Sequence, residues 1–211
     1  MRKKNKIIVL GGGGHARVLI DLIKTSGKYE IMGILDEKRE AGSSQMGIAV
    51  LGKDNLLSEL YKKSCKNACI GVGSVKENSK REALFLKVKK AGYSIPCLIH
   101  PSAFVSKETA ISEGVQIMAG AIVQAGCQIE ENTLINTGAI IEHDCIIGRH
   151  VHICPGTVIS GGCIIGDGAF IGAGATVMQG TKIGINAIIG LGSVVVNEIK
   201  AGKKVKGVPA K

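Results

Sequence analysis

Tryptophan is absent from this 211-residue chain, and aromatic residues make up only 3% of it. A core with so few rings must be packed from small and branched side chains in narrow, regular layers. No stretch approaches the roughly 20 consecutive apolar residues of a membrane span. The start, MRKKNKIIVLGGGG, is basic but carries too short an apolar run for a secretory signal. The seven cysteines include no C-x-x-C pair, which speaks against a zinc ribbon or a dithiol redox centre. Reduced thiols and the missing leader predict a cytoplasmic protein.

Acidic residues are also scarce, and unevenly so. The formal charge is +10, but residues 1–100 hold 19 Lys/Arg against 9 Asp/Glu while residues 101–211 hold 8 of each. The excess is spread along predicted helices and is not interleaved with aromatics. That pattern predicts solvated helix faces and a phosphorylated ligand, and no nucleic acid.

What the chain has in quantity is order of period six. From Val105 to Val195 every sixth residue is Ile or Val. A repeat this long sets the fold before any propensity does. With the branched residue at position one, position five is small (Thr109, Val115, Ala121, Cys127, Thr133, Ala139) and both point into a narrow prism. Position four is Gly at most repeats and Asn at 132 and 186. Both residues tolerate the positive φ that a tight corner between short strands demands. Cys127, Cys145 and Cys163 are 18 residues apart, one turn of a three-sided solenoid, and read as small buried residues. This repeat resembles the left-handed parallel β-helix of hexapeptide-repeat proteins, most of which are acyltransferases.

Residues 1–100 read differently. Strands at 6–10, 30–37, 48–51 and 67–73 alternate with helices at 15–26, 54–62 and 78–90, and YSIPCLIH reads as a closing strand. In the first helix Val18, Leu19, Leu22 and Ile23 form the predicted core face, with Gly27 as its stop. Alternation of this kind predicts a Rossmann-like α/β half domain with a parallel sheet, ending near His100-Pro101. The predicted domains are therefore 1–100 and 101–211.

Two features carry chemistry. Gly11-Gly12-Gly13-Gly14-His15-Ala16 follows a strand, opens a helix and satisfies G-x-G-x-x-A. Such a loop brings backbone N–H groups to a phosphate, and Asp36 at the end of the second strand can accept from a ribose hydroxyl. A unit of about 100 residues is half a dinucleotide fold, so a nucleotide sugar fits it better than a dinucleotide. A tight turn without a ligand is the alternative. The second feature is where the corner pattern breaks. Position four becomes Asp144 and then His150, with His143 beside Asp144. An imidazole next to a carboxylate is a base and the partner that orients it, against the alternative of an idle surface turn. His152 falls at position six, on a flat outward face. His150 and His152 could instead serve a metal, as in carbonic anhydrase-like hexapeptide proteins, but their spacing departs from that ligand pattern.

The αβ unit with its GGGGHA loop, then His100-Pro101-Ser102-Ala103, INTGAIIEHDCIIG and a terminal GVPAK, resembles the sialic-acid O-acetyltransferase-like sugar acyltransferases over nearly the whole chain. The resemblance is nearest to those that acetylate the 4-amino group of a nucleotide-linked amino-dideoxy sugar. It implies acetyl-CoA as co-substrate, no metal, and a homotrimer with acetyl-CoA in the groove between adjacent β-helices. By the same resemblance His143 is the general base and Asp144 its orienting acid, where relatives often carry Glu. His152 lies near the acetyl group, Gly161 donates a backbone N–H to the thioester oxygen, and Asn136 lines the sugar end. Gly11, Gly13, His15, Asp36 and Glu37 contribute to the nucleotide-sugar pocket, and Lys203, Lys204, Lys206 and Gly207 lie near the CoA end. O-acetylation of sialic acid, a non-catalytic nucleotide-sugar binder and a zinc hydratase stand as alternatives.

Overall fold

The computed structural model describes residues 4–74 and 78–211. The first three residues of the basic start thus lie outside the described residues. Two compact units emerge. One holds Met1–Gly73 with Lys80–Leu98, and the other Ser74–Ser79 with Ile99–Lys211. Among the described residues no helix is long and apolar enough to cross a membrane.

In the first unit β1 (Asn5–Leu10), β2 (Tyr29–Leu35), β3 (Ser44–Gln45), β4 (Ile48–Gly52) and β5 (Asn67–Ile70) form one sheet in the order β3-β4-β2-β1-β5. All neighbours are parallel except β3 and β4. Helices α1 (Gly14–Ser26), α2 (Leu57–Lys62) and α3 (Ser79–Lys90) accompany the sheet. β1 is central and its Ile7, Ile8, Val9 and Leu10 are fully buried, as a strand covered on both faces requires. α1 ends as predicted at Gly27, whose φ of 65° caps the helix. Its buried stripe is Ala16, Leu19, Ile20, Leu22 and Ile23. Val18 is 43% exposed, a correction to the predicted face: it lies off the stripe that Ala16, Leu19, Ile20 and Ile23 define at helical spacing.

The second unit is the expected prism. Two-residue strands pair in parallel with partners 18 residues away, Ile122 with Ile140 and Ile146 with Ile164 for example. Three sheets result, of six, five and seven strands. The position-one residues from Ile117 to Val195 are buried. Every predicted corner from Gly114 to Gly192 has positive φ, between 55° and 75°. Asp144 at 60° and His150 at 57° hold a conformation that costs other residues roughly 1 kcal/mol relative to glycine. The cysteine ladder is internal: Cys127, Cys145 and Cys163 are buried, and their thiols donate to the carbonyls of Glu142, Ser160 and Met178.

YSIPCLIH does not close the first sheet as predicted. Among the described residues only Ser94 bridges to Asn67 there. Leu98–Ile99 is instead the first rung of the seven-strand sheet, beside Gln116–Ile117. Ile99 stands six residues before Val105, so the repeat starts one step earlier than the sequence reading placed it.

Candidate functional site

His143 and Asp144 sit on the edge of the prism between strands Ile140–Ile141 and Ile146–Ile147. Both side chains are exposed. The tight corner turns them outward together, and His143 Nδ1 lies 2.9 Å from Asp144 Oδ2. That bond places the Nδ1 proton against the carboxylate and leaves the lone pair on Nε2. The hydrogen bond to Asp144 raises the imidazole pKa above the ordinary histidine value, against an opposing effect of burial. The ring lies over Gly161, one coil further on: a Cβ at Gly161 would meet His143 Nε2 at 2.5 Å. A side chain at 161 would therefore displace the base, and only glycine leaves room for it. Asp144 in turn packs over Gly126 on the coil below.

His152 is placed elsewhere. It points out of the prism, as position six requires, but it is 5% exposed and not on an open face, which corrects the sequence reading. Ser74 Oγ lies 2.9 Å from its Nδ1, Asn136 Nδ2 lies 3.2 Å from its Nε2, and its ring packs edge-on against Phe170. Asn136 is held in turn, because its Oδ1 accepts from the Thr137 N–H at 2.8 Å. Nearby, Asn78 Nδ2 donates to the carbonyls of Gly168 and Ala169. Sequence reasoning missed Ser74 and Asn78. They come 78 and 90 residues before their partners, and no local pattern could have announced them.

Within one chain the structure does not bring His143 and His152 together. His143 is on the edge between the six- and five-strand sheets, while strand His152–Ile153 belongs to the seven-strand sheet. In a three-sided coil that sheet is the face opposite the edge. His150 lies on another edge, with Nδ1 2.9 Å from Asn132 Nδ2. Among the described residues no group of three or more His, Cys, Asp or Glu side chains could hold a metal ion.

Cys145, beside the corner, faces inward. The sulfurs of Cys127 and Cys163 above and below it, together with burial, push its thiol pKa far up. Cys154 is buried as well, and burial drives its thiol to about 12. Neither supplies a thiolate at neutral pH.

Lys204, Lys206 and Lys211 line a largely apolar cleft of about 510 Å³ together with Phe170, Ile188, Gly190 and Leu191. Gly207, which follows Lys206 in the chain, has a φ of 100°, and its N–H donates to Ser193 Oγ.

In the first unit Gly11, Asp36 and Glu37 line a cleft of about 150 Å³ at the carboxyl ends of β1 and β2. Leu35, Val72 and Leu84 give it apolar walls, and Lys38 and Lys80 bring cationic groups. Lys80 was not singled out in the sequence, since it reads as one more basic residue of a helix. Gly11 has a φ of 95° and Val72 fills the space a Cβ would need there. Gly13 and Gly14 face open space at the start of α1, where unpaired N–H groups gather, and His15 stands beside Gly73. Asp36 is committed to the loop itself: Oδ2 accepts from Gly12 N at 2.6 Å, and Oδ1 from Lys38 N and Arg39 N. Burial pushes this carboxyl up, but the three backbone donors outweigh it and the pKa is lowered. Asp36 thus stays ionised and braces the glycine loop.

Comparisons with known proteins agree with both halves of this description. Residues 6–88 match the PglD N-terminal domain, and residues 126–161 match the bacterial transferase hexapeptide of six repeats. UDP-N-acetylbacillosamine N-acetyltransferase of Bacillus subtilis is 34% identical over 115 residues, 54% of this chain. The match spans about half, 51%, of that curated relative. A histidine-to-asparagine variant of perosamine N-acetyltransferase from Caulobacter crescentus, solved with CoA and GDP-perosamine, is 34% identical with a TM-score of 0.93. The likeness covers 98% of this chain and 96% of that one. The acetyltransferase domain of PglB from Neisseria gonorrhoeae, solved with acetyl coenzyme A, gives 34% identity and a TM-score of 0.89 over 99% of both chains.

Proposed function

The chain belongs to the hexapeptide-repeat sugar N-acetyltransferases that include the perosamine enzyme, and from that premise we propose that it acetylates the amine of a nucleotide-linked 4-amino-4,6-dideoxy sugar, with acetyl-CoA as donor. The product would serve surface-glycan biosynthesis in the cytoplasm. The observation that carries the reading is the His143–Asp144 pair turned outward over Gly161.

The chemistry is direct transfer. A sugar ammonium is no nucleophile, so a base must hold the amine in its neutral form as it attacks. His143 Nε2 takes a proton as the nitrogen bonds to the thioester carbon, with Asp144 stabilising the imidazolium. The carbonyl electrons move onto oxygen, where the Gly161 N–H stabilises the oxyanion. Collapse breaks the C–S bond, and the proton on His143 passes to the departing CoA sulfur. The products are the N-acetylated sugar and the free thiol of CoA, and only His143, Asp144 and the Gly161 N–H are regenerated.

In this reading the nucleotide end goes to the cleft that Gly11, Asp36 and Glu37 line, with Asp36 and Glu37 on the side of ribose and base, and Gly13 and His15 at the start of α1 serve the phosphates. CoA runs along the apolar cleft, with its phosphates toward Lys206, Gly207 and the neighbouring lysines. His152 and Asn136 stand on the face opposite His143, so they reach the same acetyl group only if a neighbouring subunit brings them there. A homotrimer of parallel prisms does this, and the outward apolar residues Phe104, Ile122, Ile140 and Val158 fit such packing.

Release of free thiol tests the reading, with acetyl-CoA and a panel of UDP- and GDP-4-amino sugars alongside free and CMP-linked sialic acid. Turnover with an amino sugar, lost in His143→Ala, supports it. Turnover only with sialic acids replaces it with O-transfer, and no turnover with any member while CoA still binds rejects the acceptor class.

A further inference from the structure

α3 carries Lys80, Arg81, Lys87, Lys89 and Lys90. Read as sequence, these belong to solvated helix faces. The structure departs from that reading at one position: Arg81 is 1% exposed and among the largest fully buried side chains of the chain. An aliphatic residue would fill such a position without the cost of desolvating a charge. The guanidinium keeps its proton, for burial lowers its pKa only to about 10.

Its contacts say what the charge is for. Nη1 donates to Ile70 O and to Val72 O, both at 3.0 Å. Ile70 ends β5, and Val72 is the second residue beyond it. Gly71, between them, donates to Leu10 O at 2.6 Å, and a Cβ there would meet Gly11 O at 2.6 Å. The turn after β5 is therefore clamped between the glycine loop and Arg81. Val72 packs against Gly11 and forms a wall of the 150 Å³ cleft. One nitrogen bridging two carbonyls fixes the bend of that wall. The two N–H bonds of one nitrogen in a rigid planar guanidinium do this in a way that the pliable ammonium of lysine does not.

We infer that Arg81 is a positioning residue for the nucleotide sugar: through the carbonyls of Ile70 and Val72 it sets the β5 side of the cleft against the glycine loop. The inference rests on the nucleotide-sugar reading of that cleft. It assigns Arg81 no contact with substrate. Its effect should appear in nucleotide affinity, and neither in the chemical step nor in the use of acetyl-CoA.

Arg81→Lys and Arg81→Met in the full chain test this. The measurements are kcat, both KM values, calorimetric binding of UDP and GDP, and thermal melting. For Arg81→Lys the KM of the nucleotide sugar and the Kd of the preferred nucleoside diphosphate should each rise about tenfold, the weight of one charge-assisted hydrogen bond. kcat and the KM of acetyl-CoA should stay within about twofold, a shift too small to represent a lost contact. A folded Arg81→Lys enzyme with unchanged nucleotide KM and Kd overturns the inference, as does a fall in kcat that merely follows the folded fraction. If Arg81→Met fails to fold, Arg81→Lys decides. A wild type that binds nucleoside diphosphate but transfers no acetyl group rejects the proposed activity alone, and the Kd values still judge Arg81. A wild type that binds CoA but no nucleoside diphosphate overturns both.

Discussion

His143 and Gly161 occupy one volume between them: the imidazole stands where a side chain at 161 would be, with Nε2 2.5 Å from the position of its Cβ. A methyl group at 161 must push the ring aside. Displacement of a base by about 1 Å costs on the order of a hundredfold in rate. Gly161→Ala should therefore lose about that factor in kcat, with the melting temperature nearly unchanged. Near-normal kcat in a folded Gly161→Ala enzyme would show that the base is elsewhere.

Asp144 acts on the same ring through 2.9 Å. Because its hydrogen bond raises the His143 pKa, the neutral base is lost at a higher pH than for an ordinary histidine. The acid limb of the kcat profile should consequently lie above the ordinary histidine value. Asp144→Asn keeps a residue that tolerates the φ of 60° while removing the charge. The limb should then move to lower pH, and the plateau should fall because the imidazolium loses its stabilising partner. A limb that stays in place in Asp144→Asn would detach the titrating group from His143.

Cys145 offers a test of direct transfer against a covalent acyl-enzyme. Its thiol is buried, held protonated, and donates to Ser160 O at 3.3 Å. Cys145→Ala should keep kcat within about twofold of wild type, since the thiol takes no part in the chemistry. It should lower stability by about 1 kcal/mol through the small cavity left in the ladder, read from the denaturant midpoint. Mass spectrometry of wild type quenched during turnover should show no acetyl adduct. An adduct on Cys145, or inactivity of a folded Cys145→Ala enzyme, would replace the mechanism.

The prism could be read from sequence because its period is local. Each coil repeats the same demands, so Gly, Asn, Asp144 and His150 at position four announce a positive-φ corner wherever they stand. Leu98–Ile99 escaped because YSIPCLIH alternates like any strand, and only its pairing beside Gln116–Ile117 decides which sheet it joins. The His143–Asp144 pair was legible for the same local reason as the corners. The surroundings of His152 were not, since Ser74 reaches it across 78 residues. Asp36 was legible as an acid at the end of β2, but its three backbone donors depend on how the following turn folds. Arg81 shows the limit of composition: a basic residue in a basic helix looks solvated until the carbonyls it serves are placed.

Assembly gives the last test, because His143 and His152 lie on opposite sides of one coil. If a neighbouring subunit completes the site, breaking the oligomer must abolish transfer even with every site residue intact. Ile140 and Val158 are paired neighbours whose side chains point out of the prism and are only half-buried in the single chain. Glutamate at both positions would place two like charges in an apolar contact, each costing several kcal/mol if desolvated without a partner. Light scattering should give about three times the 21.9 kDa chain mass for wild type and a single chain mass for Ile140→Glu/Val158→Glu. The double variant should melt as a folded protein, bind nucleoside diphosphate normally and transfer no acetyl group. A monomeric variant with full activity would mean that one chain holds the whole site, and the roles given to His152 and Asn136 would have to be withdrawn.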